Sequence, residues 1–320
     1  MLTVPAKICG NLTRETKNMS LRFVEDRRTL LWAFVLFPLG PALTLWRPSL
    51  LPWLSPLLLY CSYLSGVLTH NHNHNGVFRQ RWANLTYGAW LSIFYGFPVC
   101  SWIPTHNRNH HRYRNGEGDM TATSRHATRD SLLAALSYPL ASSRYQVRPL
   151  LCFAGAAFRS RSVQGRRIVV ESLALLLGHA AVWLLAVRLH GLGLGSLTYL
   201  FALGLPAFFG SYWMMLTNYL QHVDCDPSSE HNHSRNFVSP SFNWLVFDNG
   251  FHTVHHEHPG LHWSRYRELH RWRQAQIAPV LNQSTLLDFV VGRYVRRPRA
   301  AGAAGAAGAR QKSCAEAQRA

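Results

Sequence analysis

Acidic residues are scarce in this sequence: 15 Asp and Glu against 33 Lys and Arg over 320 residues, a formal net charge of +18. With so few carboxylates, any that stands beside a functional motif is worth noting, and the excess of positive charge favours anionic lipid or an acidic protein carrier as a partner. The six cysteines, Cys9, Cys61, Cys100, Cys152, Cys225 and Cys314, form no CxxC pair, which argues against a disulfide framework and against a sulfur-ligated metal site. Cys225 follows His222 closely and reads as a plain, partly buried thiol in a reduced cytosol. The stretch from Met1 to Asn18 lacks the apolar core of a cleavable signal, and no repeat unit recurs along the chain. Nor are the arginines gathered into a groove-binding motif; they are spread through loops that flank apolar runs, so no nucleic acid partner is expected.

Histidine is abundant instead. Eighteen are present, half of them in clusters with metal-ligand spacing: His70-x3-His74, His106-x3-His110-His111, Asn218-x3-His222 and His252-x2-His255-His256. On a helix turning about 100° per residue, positions three or four apart share one face, so each cluster can aim two or more ring nitrogens at one point. His70 and His74 lie about 40° apart, while His72 sits about 200° from His70 and points away from the ligands. His106 and His110 share a face, and His111 is turned roughly 100° further, letting the adjacent pair serve different metals. His252, His255 and His256 fit one face and His258 does not. Nine imidazoles exceed the four ligands of a tetrahedral zinc, whereas two adjacent irons with open positions absorb about eight or nine. The spacing therefore predicts a dinuclear site. Neutral nitrogen ligands bind ferrous iron without cancelling its charge and resist oxidation better than thiolates, which suits cleavage of inert C–H bonds with dioxygen and external electrons.

In order and spacing the clusters resemble the histidine boxes of the integral-membrane fatty acid desaturases and their relatives, the hydroxylases and ketolases. That family carries HxxxH or HxxxxH, then HxxHH or HxxxHH, often NxxxH, and finally HxxHH. Here stand HNHNH at His70 to His74, HNRNHH at His106 to His111, NYLQH at Asn218 to His222 and HTVHH at His252 to His256, and the likeness runs from about Leu30 to about Leu287. The resemblance implies an all-α polytopic membrane protein, with about four transmembrane helices bearing a cytoplasmic helical cap that holds a di-iron site. It implies metal ligands at His70, His74, His106, His110, His111, Asn218, His222, His252, His255 and His256, Asn218 acting directly or through a water, and it favours Asp119 as a residue that orients a ligand. Two iron ions, dioxygen as co-substrate, a fatty acyl substrate presented as free acid, thioester or lipid, and an external electron donor such as a ferredoxin or rubredoxin follow from the same likeness. Desaturation is the favoured activity. Hydroxylation, ketolation and oxidative decarboxylation to a terminal alkene begin at the same kind of centre. Metal transport or storage is the alternative from another class, but a transporter would place its ligands within spans near the bilayer midplane. The string His258-Pro259-Gly260 resembles the start of a haem-binding HPGG motif, yet Leu261 follows and no separate domain surrounds it, so electrons are expected from another protein.

Mean hydropathy is −0.08, an average of greasy runs and a very polar remainder. Thr29 to Trp46, Leu50 to Leu68, Ile168 to Leu189 and Gly195 to Tyr219 each approach the roughly 20 residues that cross a bilayer core. Of the 33 Lys and Arg residues only Arg47 and Arg188 fall by the short connections between paired spans. The rest lie on the other side, which the positive-inside rule makes cytoplasmic, together with both termini and all four clusters. Leu85 to Ile103 is also uncharged and long enough to span. Crossing there would part His70 and His74 from His106, His110 and His111, so an interfacial or re-entrant piece is predicted, in keeping with Gly88, Gly96, Pro98 and its many aromatic residues.

Three segments result: residues 1–28 as an N-terminal cytoplasmic segment, 29–290 as the membrane domain, and 291–320 as a basic, Ala/Gly-rich disordered tail. Met19 opens the more family-like stretch MSLRFVEDRRTLLWAF and is an alternative start. His126, His231, His233, His262 and His270 are expected to be solvated or to support ligands from outside. His179, within the third apolar run, is expected to bond a neighbouring helix, and His190, at the external turn, to do nothing specific. For Glu117, Asp224, Asp226, Asp248 and Glu257, charge balance explains their positions as well as a role at the site does.

Overall fold

In the computed structural model residues 20–296 are described; residues 1–19 and 297–320, with Cys9 and Cys314, lie outside the described residues, while Val291–Arg296, the start of the expected tail, form a π-helix. Helix α1 (Asp26–Trp46) opens with Asp26 accepting a hydrogen bond from Thr29 Oγ1 one turn on, at 2.9 Å. It widens to a π turn over Trp32–Leu36, just ahead of Pro38, which has no N–H to return to the Phe34 carbonyl. Arg47 is extended and turns the chain into α2 (Pro48–His74), where a leading proline costs no hydrogen bond. Next comes α3 (Arg81–Tyr95), which ends at Gly96 with φ +78°. A Cβ at Gly96 would lie 2.6 Å from the Ala207 carbonyl oxygen, so the reversal there requires glycine twice over. A 3-10 turn (Val99–Ser101) leads into α4 (Ile103–His110), a π-helix. Both α5 (Leu132–Arg159) and α6 (Val163–His190) are capped by a serine, Ser131 and Ser162, whose hydroxyl accepts from a first-turn N–H. Then α7 (Leu192–His222) carries a π turn at Leu200–Gly204 ahead of Pro206. The short α8 (Pro240–Leu245), α9 (His252–Glu257), α10 (Tyr266–Arg273) and α11 (Leu286–Val290) follow. Asn236–Phe237 pairs in parallel with Asn282–Gln283, the only ladder among the described residues.

By length and hydropathy α1, α2, α6 and α7 can each cross a bilayer. They form two hairpins whose short connections lie side by side: His190 Nε2, at the end of α6, donates to the Leu45 carbonyl at the end of α1, 2.7 Å away. That bond corrects the expectation that His190 does nothing specific. The outer face of α6 exposes Leu173, Leu176, Leu177, Leu184 and Leu185, a surface that lipid chains would cover. At the far end the remaining elements form a helical cap. Leu64 and Leu68 of α2 share one buried cluster with Tyr87, Phe247, Val254 and Tyr266, so cap and spans are one packed body. A second cluster, Tyr138, Tyr219, Leu220, Phe237 and Phe289, fixes α5 to α7.

The helices outrun the apolar stretches read from the sequence. α2 continues past Leu68 to His74 and α7 past Tyr219 to His222, because His70, Leu220 and His222 are buried against the cap and give the last turns packing in place of lipid. α3 does not cross. It enters beside α6 and turns back at Gly96, so that His74 before it and His111 after it bring their Nε2 atoms to 3.1 Å. His179 on α6 clamps this arrangement: it donates from Nε2 to the Ile93 carbonyl and accepts at Nδ1 from the Tyr199 hydroxyl, both at 2.9 Å. The Ile93 carbonyl is one of the last four in α3, which have no partner within the helix.

Candidate metal centre

Nine histidines converge beneath the cap in two groups. His70, His74, His106, His111 and His255 form the first, and His110, His222, His252 and His256 the second, with the ligand atoms of each group all within 4.8 Å of one another. α2 supplies two of them from its last turn, α7 one from its last residue, α4 and the turn after it three, and α9 three. In the first group His70 Nε2 lies 2.9 Å from His255 Nε2, and His111 Nε2 lies 3.1 Å from both His74 Nε2 and His106 Nε2. In the second, the Nε2 atoms of His222, His252 and His256 make a triangle with sides of 3.0, 3.1 and 3.2 Å. The fourth, His110 Nε2, is buried with no hydrogen-bond partner.

In the second cluster His106 and His110 do lie side by side, their rings stacked with centroids 5.2 Å apart, yet they belong to different groups, and the Nε2 atom that meets His106 Nε2 is that of His111. The π-helix, in which the His111 N–H returns to the His106 carbonyl five residues back, is what brings His111 to His106 as well. The adjacent pair does point to different groups. α9 divides its histidines likewise, His252 and His256 one α-turn apart in one group and His255 in the other.

Outer nitrogens anchor most of these rings. His110 Nδ1 donates to Asp119 Oδ2 at 2.7 Å, His222 Nδ1 donates to the His233 carbonyl at 3.0 Å, His255 Nδ1 bonds the Tyr266 hydroxyl at 2.9 Å, and His70 Nδ1 bonds Asn71 Oδ1 at 3.2 Å. Asp119 is completely buried and also accepts from the N–H groups of Asn115 and Thr121 and from the Thr121 hydroxyl, each at 2.7 Å. Burial alone would raise its carboxyl, but the His110 imidazole and these donors outweigh burial and hold it well below the usual carboxylate range. Asn218 faces away from simple ligation by its nitrogen, which donates to the Tyr138 hydroxyl at 3.0 Å. The end of α7 is fixed by Arg235, a buried guanidinium that donates to the Leu220 and Val223 carbonyls, neutralising the negative end of the helix dipole beside His222.

Does the donor set fit a metal? Burial first, and neighbouring imidazoles second, lower the pKa of His106, His111, His252, His255 and His256 well below the ordinary value, so these rings are neutral and present lone pairs. A triangle of Nε2 atoms cannot be held by hydrogen bonds, since His222 has its proton on Nδ1 and offers only a lone pair at Nε2. A shared cation resolves the conflict: bonds of about 2.1–2.2 Å at right angles put nitrogens about 3.0–3.1 Å apart, close to the observed sides. Neither group includes a cysteine or carboxylate, a purely nitrogen environment that suits iron as well as zinc or copper.

His72 lies apart, donating from Nε2 to the Asn84 carbonyl at 3.1 Å. His126 bonds Ser137 and His231 bonds Glu257. The solvated reading fails for His233, His262 and His270, which are buried. His262 pairs with Asp26 at 3.2 Å and ties the start of α1 to the cap. His233 sits 5.4 Å from the His256 ring with neither nitrogen hydrogen-bonded. Asp224, Asp248 and Glu257 pair with Arg293, Arg267 and Arg273, and so serve the cap's structure. Tyr266 and Arg235 were not singled out from the sequence, and their types carry no signal at those positions. Glu171 is the other omission. Buried within α6, it accepts from the Cys100 N–H at 2.7 Å and from Arg167 at 3.1 Å, and so fastens the turn that leads into α4.

A cavity of about 300 Å³ reaches both groups, with His70, His106 and His252 in its wall. Most of the remaining lining comes from α5, α7 and the α3–α4 turn, with Tyr63 and Val67 of α2 beside them; its surface is largely apolar and includes no Lys, Arg, Asp or Glu.

Four bilayer-length helices, a helical cap, and two histidine groups that could hold metal at the end of an apolar cavity define an all-α polytopic membrane protein with a metal site. The family profile for fatty acid desaturase matches residues 47–283, and the chain belongs to that family. Searches of curated proteins and of solved structures gave no match.

Proposed function

We propose that this protein is a fatty acyl desaturase that uses two irons, one in each histidine group, and dioxygen to insert a double bond into a long acyl chain. The observation that carries the reading is the pair of all-imidazole groups reached by one largely apolar cavity, which supports a reading in which metals held there would act on the methylene groups of a bound chain. The irons would supply the oxidising power that no side chain has. The balance is complete when dioxygen takes two hydrogens from the chain, two electrons from a protein carrier and two protons, and leaves as two waters.

The chain's own residues bind and orient. His70, His74, His106, His111 and His255 would hold one ion and His110, His222, His252 and His256 the other, with Asn218 near the second. Asp119 keeps the proton of His110 on Nδ1, so that Nε2 faces the metal. The uncharged cavity wall excludes water from the reacting segment and holds the acyl chain by apolar contact. Electrons would come from an acidic carrier of the ferredoxin or rubredoxin kind, drawn to the basic cap, and the distribution of Lys and Arg supports a cytoplasmic cap with both termini on that side.

The test is the fatty acid profile, by mass spectrometry, of a host expressing the protein beside the same host expressing His255→Ala. New unsaturated chains in the first and none in the second are expected; identical profiles from two well-expressed proteins would refute the reading.

A further inference from the structure

The α5 helix has a face that the cap does not use. Leu133, Leu136, Leu140, Val147, Leu151 and Phe158 are all exposed, and at about 100° per residue they fall within about 40° of one line along the helix. Such a stripe, six apolar side chains over seven turns, is larger than a soluble surface normally shows. Arg144, Arg148 and Arg159, also exposed, lie to one side of the stripe, by about 40° to 100°. This is the pattern of a helix lying in the surface of a leaflet, with apolar residues sunk among acyl chains and guanidinium groups at the phosphates.

On the other side of the stripe lies the cavity. Leu140 and Val147 belong to both, being 61% and 52% exposed while lining the cavity. Phe97, at the reversal after α3, and Phe208, on α7, do the same at 43% and 47% exposure. Phe208 is about 21 Å along the helix from His222, which puts it well inside a bilayer-length span. Apart from Ser143, the cavity's exposed rim is thus apolar, and Phe208 sets part of it at the depth of hydrocarbon.

We propose that the cavity fills sideways from the bilayer: α5 lies in the leaflet surface, and the substrate is an acyl chain already dissolved in that leaflet, entering between α5 and α7 past Leu140, Val147 and Phe208. This rests on the acyl-chain reading above and narrows it, because a soluble thioester would need a polar mouth facing water for its carrier. The absence of any Lys or Arg from the lining fits a substrate whose head group stays outside among the phospholipids.

The experiment uses the full chain reconstituted in phosphatidylcholine–phosphatidylglycerol vesicles, with a diazirine-bearing stearoyl chain as probe. The chain is offered as free acid in the vesicles, as the acyl group of a phospholipid, or as a soluble coenzyme A thioester. After illumination, labelled peptides are mapped by mass spectrometry. Labelling from either bilayer form of residues around Val147 and Phe208, reduced at least about fivefold in Val147→Trp protein of unchanged metal content, supports the proposal, and the more effective form identifies the source. Labelling by the thioester alone, or labelling that Val147→Trp leaves intact, overturns it. A nitroxide at Leu151 adds a check on α5, since faster relaxation by a water-soluble nickel chelate than by oxygen also overturns it. The readouts need no turnover, so an inactive protein that still labels would count against the desaturase reading alone.

Discussion

His111 Nε2 lies 3.1 Å from His106 Nε2, five residues back along the chain, while His110 between them turns its ring to His222 and His256 in the other group. The π-helix of α4 is what allows three histidines on one short segment to join two groups. The double variant His106→Ala/His111→Ala should therefore lose one metal and keep the other, whereas His110→Ala/His111→Ala should impair both. Iron per chain after equilibration with a competing chelator is the measurement. Equal depletion in the two double variants would contradict the division.

His72 and Asp119 offer a contrast between a histidine that stands within a box and points away from the groups and a carboxylate outside the boxes that holds a histidine of one group. His72→Ala should keep both metals and the activity while losing roughly 1–2 kcal/mol of stability, from the hydrogen bond to Asn84 and the packing on Tyr87. Asp119→Asn should fold and yet bind one of two metals about 10–100-fold more weakly, because His110 loses the acceptor that sets its tautomer. Metal titrations of both purified variants decide the matter, and a metal-depleted His72→Ala protein would show that the first box has been misread.

Much of the site could be read from the sequence because spacing constrains facing. His70 and His74 on an unbroken helix had to share a face, and a common site for His74 and His111 forbade α3 from crossing. What could not be read was a change of helical repeat. Nothing in Ile103-Pro104-Thr105-His106 announces a π-helix, so α-helical angles pair His106 with His110, whereas the five-residue turn also brings His111 to His106 and leaves His110 to the other group. Burial of His233, His262 and His270 was hidden for another reason: they lie in basic stretches, and their burial comes from cap elements far away in sequence, such as Asp26 against His262.

Acid should loosen the cap through His270. Its ring packs at 4.8 Å on Phe251, the residue before His252, and burial lowers its pKa to about 4. The folded state thus binds its proton less readily than the unfolded chain does. Its contribution to stability is complete above about pH 6.5 and declines as pH falls toward 4. Thermal midpoints recorded from pH 7.5 down to pH 5 should fall less steeply for His270→Phe than for the wild type. Parallel curves would remove His270 from the account.

Membrane orientation can be tested at two glycines where an added Cβ meets nothing within 4 Å, Gly193 in the first turn of α7 and Gly260 in the cap. In a background where the exposed Cys152 is replaced by serine, Gly193→Cys in intact spheroplasts should react with an impermeant maleimide. Gly260→Cys should react only after lysis. Labelling of Gly260→Cys and not of Gly193→Cys in intact cells would place the cap outside, against the distribution of Lys and Arg, and labelling of both would mean that α6 and α7 do not separate the two sites.

The nature of the product is the furthest step from the geometry, since desaturation and hydroxylation share the removal of a first hydrogen. A second removal from the neighbouring carbon gives an alkene, and delivery of oxygen to the first carbon gives an alcohol. A difference of about 1.4 kcal/mol between the two barriers changes the ratio tenfold, and ring positions alone do not determine so small a difference. The alkene is favoured by membership of the desaturase family and by histidine groups that contain no glutamate. Membranes supplied with a reducing system and a saturated fatty acid deuterated at successive carbons should yield an internal double bond with loss of two vicinal hydrogens. An oxygenated chain, or a terminal alkene one carbon shorter with released carbon dioxide, would move the reaction to hydroxylation or oxidative decarboxylation and leave the fold and the paired histidine groups as they are.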